Sequence, residues 1–351
     1  MKILFVISSL ASGGAERVMV NLANRLSRNH EMYIATFSDD EPYYSLSDEV
    51  KHIKLGLLKS SKNVFGRIKN TFFRIKTVKN IIEEIDADVQ ISFMTHTNII
   101  SIMASKLAGR RIIVSERIAY DFYGSGFLNF LRRAVYPMSD ALVTQTYSDK
   151  KHYAFMHNVK VIYNPLFVNT VPGQKEKVVL AVGRLDKQKR FERLIETFAQ
   201  IDTDWKLLIA GDGPERSRLE LKIKALEAEN IQLLGRKKNI EEYYAKASVF
   251  VLSSRREGFP NVLIEAMAYG CAVVSFDCPY GPAEIIEDGV DGILVENQNH
   301  EKLKEELKRV IRDEELRKRL GKAAIGVRDR YAVDKIAQEW EHLIREVVEG
   351  D

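Results

Sequence analysis

Val178-Val179-Leu180-Ala181-Val182-Gly183-Arg184-Leu185-Asp186-Lys187-Gln188-Lys189 is the stretch on which the fold turns. Five apolar residues in a row read as a strand buried on both faces, as parallel strands are. A glycine and a cationic loop follow at once. Just upstream the chain breaks pattern: Asn164-Pro165, Pro172-Gly173 and the polar run Gln174-Lys175-Glu176-Lys177 read as a linker. Val178 therefore opens a second domain. The length of 351 residues agrees, since single cores rarely grow past about 250–300 residues.

Downstream, strands are expected at Lys206–Ala210, Ile231–Leu233, Val249–Leu252, Ala272–Ser275 and Gly292–Val295, with helix from Glu301 onward. Upstream, they are expected at Lys2–Ser8, Met32–Phe37, Val89–Phe93, Arg111–Ser115, Ala141–Thr144 and Val159–Ile162. Amphipathic helices such as Glu16–Ser27 alternate with them. Alternation of this kind implies α/β domains with parallel sheets, each binding ligand beyond the carboxyl ends of its strands. The expected boundaries are 1–168 for the first domain and 175–332 for the second, with 333–351 a helix packing back on the first.

The composition, 45% hydrophobic and 29% charged, is that of an ordered globular protein. No apolar run approaches the ~20 residues of a membrane span. The apolar start Met1–Leu10 reads as a first buried strand rather than a signal peptide, because it runs directly into the helix start Gly13-Gly14-Ala15-Glu16. Cys271 and Cys278 fit no zinc spacing and read as reduced thiols of a cytoplasmic protein. Residues 1–170 hold 22 basic and 15 acidic side chains, a balance of +7. The remainder holds 53 − 22 = 31 basic and 49 − 15 = 34 acidic, a balance of −3. A basic half suggests an anionic surface or ligand.

Three strand-end loops carry chemistry. In Ser12-Gly13-Gly14-Ala15-Glu16, two glycines and a helix start can approach phosphate, although a tight turn would look the same. Neither the dinucleotide fingerprint nor a P-loop is present, which disfavours a nicotinamide oxidoreductase. In the opening stretch, Arg184 and Lys189 offer a planar fork of donors and a mobile point charge to a diphosphate; a solvated basic loop is the plain alternative. In Glu257-Gly258-Phe259-Pro260-Asn261-Val262-Leu263-Ile264-Glu265, two carboxylates stand eight residues apart around a helix start near Asn261. There they could accept hydrogen bonds from hydroxyls, or be two surface glutamates.

Arg184, Lys189, Glu257 and Glu265, in this order, resemble the signature of family 4 retaining glycosyltransferases. So do Ser12–Arg17, Gly211-Asp212-Gly213-Pro214, Leu234-Gly235-Arg236 and Gly281–Gly292. The resemblance covers nearly the whole chain. It implies the GT-B fold, two Rossmann-like domains with parallel sheets facing a central cleft. It also implies a UDP-sugar as co-substrate and no metal. Arg184 and Lys189 would bind the donor diphosphate, Glu265 its ribose and Glu257 its sugar. The backbone of Leu234, Gly235 and Arg236 would line the base pocket. Gly13 and Gly14 would close on the diphosphate, and residues Phe259 to Leu263 would turn helix-start N–H groups to donor oxygens. Many relatives carry histidine where Arg117 stands, so Arg117 is a departure. His96, in another strand-end loop, is a candidate for the acceptor side. Asp86-Ala87-Asp88 and Asp202-Thr203-Asp204 match a metal-binding pattern of other glycosyltransferases but read as solvated turns.

No acidic residue lies between Lys51 and Ile82. Lys62, Lys69 and Lys76 recur every seven residues, with Arg67 and Arg74 beside them. Phe65, Ile68, Phe72, Ile75, Ile82 and Ile85 mark an apolar helical stripe. Such a basic amphipathic helix can lie on an anionic bilayer, hold a lipid diphosphate, or simply pack on its own sheet with a solvated outer face. The chain is also similar to N-acetylgalactosamine transferases that extend lipid-linked glycans. That likeness implies a polyprenyl-diphosphate-linked glycan acceptor and a peripheral place on the inner face of the bacterial cytoplasmic membrane. A soluble or protein acceptor, and a nucleotide-sugar-binding module without turnover, are the alternatives. No nucleic acid partner is expected.

Overall fold

The computed structural model describes residues 1–58, 63–124, 126–168 and 173–350. Lys62 and Pro172 lie outside the described residues. The chain divides into two compact units, Met1–Pro165 with Val333–Asp351, and Leu166–Ala332.

The first unit runs β1 (Lys2–Ile7), α1 (Gly14–Leu26), β2 (Glu31–Thr36), β3 (Val50–Lys54), α2 (Val64–Ile85), β4 (Val89–Phe93), α3 (Thr95–Ala108), β5 (Arg111–Ser115), α4 (Gly126–Val135), β6 (Ala141–Thr144), α5 (Tyr147–Lys150) and β7 (Val159–Val161). The second runs β8 (Glu176–Val182), α6 (Phe191–Ala199), β9 (Lys206–Ala210), α7 (Arg216–Ala225), β10 (Ile231–Gly235), α8 (Ile240–Lys246), β11 (Ala247–Leu252), α9 (Asn261–Ala268), β12 (Ala272–Asp277), α10 (Pro282–Ile285), β13 (Ile293–Glu296), α11 (His300–Arg312), α12 (Glu314–Ala324) and α13 (Val327–Arg330). The helix α14 (Val333–Glu349) then belongs to the first unit.

Both sheets are parallel, with strand orders β3-β2-β1-β4-β5-β6-β7 and β10-β9-β8-β11-β12-β13. Each reverses direction beside its first strand, the topological switch point of a Rossmann-like fold. Central strands are buried on both faces: β4 is buried at all five positions, Gln90 and Ser92 included, and so is β1 from Ile3 to Ile7. One strand, β3, has no counterpart among the expected ones. It is a short edge strand carrying Lys51, His52 and Lys54, and only Val50 is fully buried. Charge on an edge discourages pairing with other chains and also hides the strand from an apolar search.

In the first unit, α3 packs against both α2 and α4, while α1 packs against α14. Right-handed crossovers demand this: connections running from β3 towards β6 lie on one face, and the connection from β1 back to β2 lies on the other. The α2 stripe splits in two. Val78, Ile81, Ile82 and Ile85 are buried with partly buried Ile75, but Phe65, Ile68 and Phe72 are exposed. The expected stripe is thus core only in its second half, because the first half projects past the apolar residues it would need to cover it.

Candidate active site

In the second unit, the loops that follow β8, β9 and β10 lie against one another. Gly183 N–H donates to the Ala210 carbonyl, Leu185 N–H to the Asp212 carbonyl, and Gly211 N–H to the Gly235 carbonyl. The approach is close enough to require glycine. At Gly211, with φ of +145°, a Cβ would stand 1.8 Å from the Gly183 carbonyl oxygen. At Gly183 it would meet the Lys189 side chain at 3.0 Å, so the missing side chain leaves a path for the lysine.

The β8 loop is then stapled to the β11 loop. Asp186 Oδ1 accepts the N–H groups of Gln188 and Lys189 and so turns the chain. Ser253 Oγ donates to the Lys189 carbonyl (2.8 Å), Gln188 Nε2 to the Arg256 carbonyl (3.0 Å), and Arg255 N–H to the Gln188 carbonyl. As a result Lys189 Nζ sits 2.7 Å from Glu257 Oε1, with side chains only 16% and 8% exposed. Glu257 itself is fixed by its N–H, which donates to the Pro279 carbonyl. Arg184 is exposed at the mouth of the same loop, with no ion-pair partner among the described residues.

Glu265 lies one turn inside α9 and is buried. Tyr244, from the end of α8, donates its hydroxyl to Glu265 Oε2 at 3.0 Å and stacks on Tyr269. The tyrosine had no signal in the sequence, since the packing of α8 against β8 brings it there. At the start of α9, Gly281 (φ +111°) lets its own backbone press against Pro260, where a Cβ would lie 2.5 Å from Cδ. Among residues Phe259 to Leu263, from which helix-start N–H groups are expected, Pro260 has none to give. Asn261 N–H donates to the Phe259 carbonyl and Leu263 N–H to the Pro260 carbonyl. Leu234 and Gly235 end β10 and Arg236 follows, exposed, with the strand register shifted between Leu233 and Gly235.

In the first unit, Gly13 caps α1 and Gly14 begins it. The Glu16 carboxylate folds back over this start: a Cβ on Gly13 would lie 2.1 Å from Glu16 Oε2. Burial raises the Glu16 pKa above the ordinary carboxylate value. An anionic ligand at this helix start would therefore meet a carboxyl group and have to displace it.

His96 is exposed in the first turn of α3, its ring 5.4 Å from that of Tyr123. Desolvation, then the charges of Arg132 and Arg74, lower its pKa. Beneath it lies a polar network that sequence reasoning missed. Glu116 and Arg132 are fully buried with Nε–Oε1 at 3.4 Å. Thr95 Oγ1 donates to Glu116 (2.9 Å), Tyr136 donates its hydroxyl to Glu116, and Arg132 Nη2 donates to Thr95. Neighbouring Met94 adopts φ of +79°, and its N–H donates to the Ser115 carbonyl. The network fixes the turn that presents His96.

Two basic candidates for the acceptor or membrane side, Arg117 and Arg74, make contacts within the first unit. Arg117 is buried, with its guanidinium over the rings of Phe93 (4.2 Å) and Trp340 (5.5 Å) and Nη1 donating to Asn164 Oδ1. Burial without a carboxylate lowers its pKa to about 9. Arg74 donates twice to the Leu57 carbonyl. By contrast Arg67, Lys69 and Lys76 are exposed. The two acidic pairs belong to local structure: Asp86 pairs with Arg110, Asp88 accepts the Lys2 N–H, and Asp204 pairs with Lys177. Among the described residues, no three His, Cys, Asp or Glu side chains gather in a way that could hold a metal ion. Cys271 and Cys278 are free and buried.

Two family models cover this architecture: Glycosyltransferase Family 4 over residues 12–168, and Glycosyl transferases group 1 over 166–327. One relative is 35% identical, with 99% of each chain covered. It is the Campylobacter jejuni GalNAc-alpha-(1->4)-GalNAc-alpha-(1->3)-diNAcBac-PP-undecaprenol alpha-1,4-N-acetyl-D-galactosaminyltransferase. The chain belongs to the family 4 glycosyltransferases. A second relative of this family 4 glycosyltransferase, the amylovoran biosynthesis glycosyltransferase AmsD of Erwinia amylovora, is 32% identical over 98% of the chain and 99% of its own length. Among solved structures, Anabaena Alr3699/HepE in complex with UDP aligns with a TM-score of 0.82 at 19% identity, covering 98% of this chain and 99% of that one. The fold of this family 4 glycosyltransferase is GT-B, with two parallel-sheet units. No helix among its described residues is long and apolar enough to cross a membrane.

Proposed function

We propose that the protein is a retaining glycosyltransferase that moves an N-acetylhexosamine, first of all N-acetylgalactosamine, from a UDP-sugar to an undecaprenyl-diphosphate-linked glycan at the inner face of the cytoplasmic membrane. The observation that carries the donor assignment is the Lys189–Glu257 pair, nearly buried, in the loop that also carries the exposed Arg184. Lys189 has three N–H groups and gives one to Glu257, which leaves two for a diphosphate. Arg184 and Lys189 then offset the charge that develops on the leaving diphosphate, so the reading includes no metal. Glu257 orients the donor sugar, Glu265 accepts the ribose hydroxyls, and the backbone of Leu234, Gly235 and Arg236 faces the base.

The transfer breaks the bond between the anomeric carbon and the diphosphate oxygen, and forms one to the acceptor oxygen on the same face. The acceptor hydroxyl gives its proton to the departing diphosphate. What supports the acceptor class is the naming of the Campylobacter jejuni relative, together with the exposed Arg67, Lys69 and Lys76 on α2.

The test is a panel of UDP-sugars, without metal, on wild type and Lys189→Ala. Expected are UDP binding that Lys189→Ala weakens and transfer to a polyprenyl-diphosphate-sugar with retention. No binding of any uridine nucleotide would overturn the donor assignment, and a trapped glycosyl-enzyme would overturn the same-face mechanism.

A further inference from the structure

Every crossover helix in a parallel sheet begins at the carboxyl ends of the strands, where ligands bind. In the first unit, α2 leaves β3 and α4 leaves β5, so both helices begin at that edge and lie on the same face, flanking α3. Their opening turns are unusual. On α2, Phe65 is 85% exposed, Phe72 69% and Phe73 60%. On α4, Phe127 is 71% exposed and Phe130 64%, with Phe122 also exposed just before the helix. Side chains that do face inward from α4, Leu128 and Arg132, are buried, so the helix is firmly seated and its phenylalanines point away from the core.

Rings this exposed are unfavourable in water, so the five on α2 and α4 form a surface fit for a partner. The surrounding charge says what that partner is. Arg67, Lys69 and Lys76 are exposed along α2, and Arg133 on α4. No acidic residue lies between Lys51 and Ile82, and Asp121 is the one acid between Arg117 and Met138. Aromatic rings among cations, without matching carboxylates, suit the headgroup and upper acyl region of an anionic bilayer.

We propose that the first half of α2 and the α4 segment form a two-footed insertion surface. It buries phenylalanines in an anionic membrane and so holds the carboxyl edge of this unit at headgroup depth. The inference rests on the lipid-linked acceptor reading and goes beyond it: contact is by insertion, at two elements, and not by charge alone on the basic helix. A lipid-borne diphosphate would then arrive beside the strand ends without leaving its bilayer.

The experiment measures partition of the full chain into vesicles of phosphatidylglycerol and phosphatidylcholine, against phosphatidylcholine alone. Wild type, Phe127→Ser with Phe130→Ser, and Lys69→Glu with Lys76→Glu are compared, with hydrogen-exchange protection of the first unit's sheet as the folding control there and UDP affinity as the control for the second unit. A Phe127→Trp variant reports depth through quenching by brominated lipids. Expected are quenching, a loss of partition of about tenfold or more for the double serine variant with UDP affinity unchanged, and residual binding at about 0.5 M salt, where charge contacts are screened. Unchanged partition of the double serine variant, absence of quenching, or dimers that the serines dissolve would each overturn the surface. Transfer to a detergent-solubilised lipid-diphosphate acceptor separates the two readings. If it proceeds while vesicle binding is absent, the insertion surface fails alone; if it is absent, the acceptor reading fails.

Discussion

At the residue scale, Tyr244 is the most informative side chain, because it holds Glu265 and has no role of its own in the proposed chemistry. If Glu265 receives the ribose hydroxyls, a Tyr244→Phe variant loses the bond that orients it. One such bond is worth about 0.5–1.5 kcal/mol, roughly a threefold to tenfold loss of UDP affinity. Calorimetry should find that loss for UDP and little of it for 2′,3′-dideoxy-UDP. A merely structural tyrosine would weaken both equally. Glu265→Gln provides the reference: if it too treats the nucleotides alike, the ribose assignment itself is wrong.

Asp149 makes a second residue-scale prediction. Burial is the main cause that raises its pKa to about 7, with the Tyr120 N–H on Oδ1 opposing it. The folded chain thus keeps a proton that the unfolded chain releases near the ordinary value of 3.8. Stability from this group is present below that value and falls as pH rises towards 7. Asp149→Asn keeps the acceptor oxygen and removes the titration. Denaturation midpoints at pH 5 and pH 8 should differ less in the variant than in wild type. Equal differences would show that the group is not the source.

Among the elements, α14 brings a run of buried side chains back to the first unit. Ile336, Ala337, Trp340, Leu343, Ile344 and Val347 are buried, and Trp340 is the largest fully buried side chain of the protein. Its ring lies 6.0 Å from Phe93 and under the Arg117 guanidinium. Trp340→Ala should cost about 3–5 kcal/mol in chemical denaturation, localised by hydrogen exchange to the first unit. Protection lost evenly in both units would contradict the assignment of α14 to one of them. Arg117 is held by the same contact, which gives a physical reason for arginine at this position: it fills a slot between two aromatic rings.

Across the whole molecule, what was legible followed burial. Strands such as Val89–Phe93 and Lys206–Ala210 declared themselves to the residue, because their alternate apolar positions, Val89, Ile91 and Phe93 in one and Leu207 and Ile209 in the other, are buried. β3 did not, since an edge strand may carry lysines, and α4 did not, since its phenylalanines face outward and break the link between hydrophobicity and core. In the site, Lys189 and Glu257 were legible separately, 68 residues apart, but their pairing was not; it depends on backbone staples between two loops. The unequal charge of the two halves makes a prediction at this scale. Raising salt to about 0.5 M shortens the Debye length to a few ångströms. Transfer to a vesicle-borne acceptor should fall steeply, while UDP affinity changes little. Parallel losses would place the salt effect at the donor site instead.

The path of the chain has a consequence during synthesis. Residues 166–332 form a continuous segment that contains everything its unit needs. The other unit starts first but lacks α14 until the intervening segment has been made. The unit that emerges second can therefore finish folding while the first still exposes the Phe93 and Arg117 surface that Trp340 will cover. A nascent chain stalled before α14 should hold a native nucleotide unit tethered to an unfinished partner, a state in which chaperones would find their binding site on the earlier half.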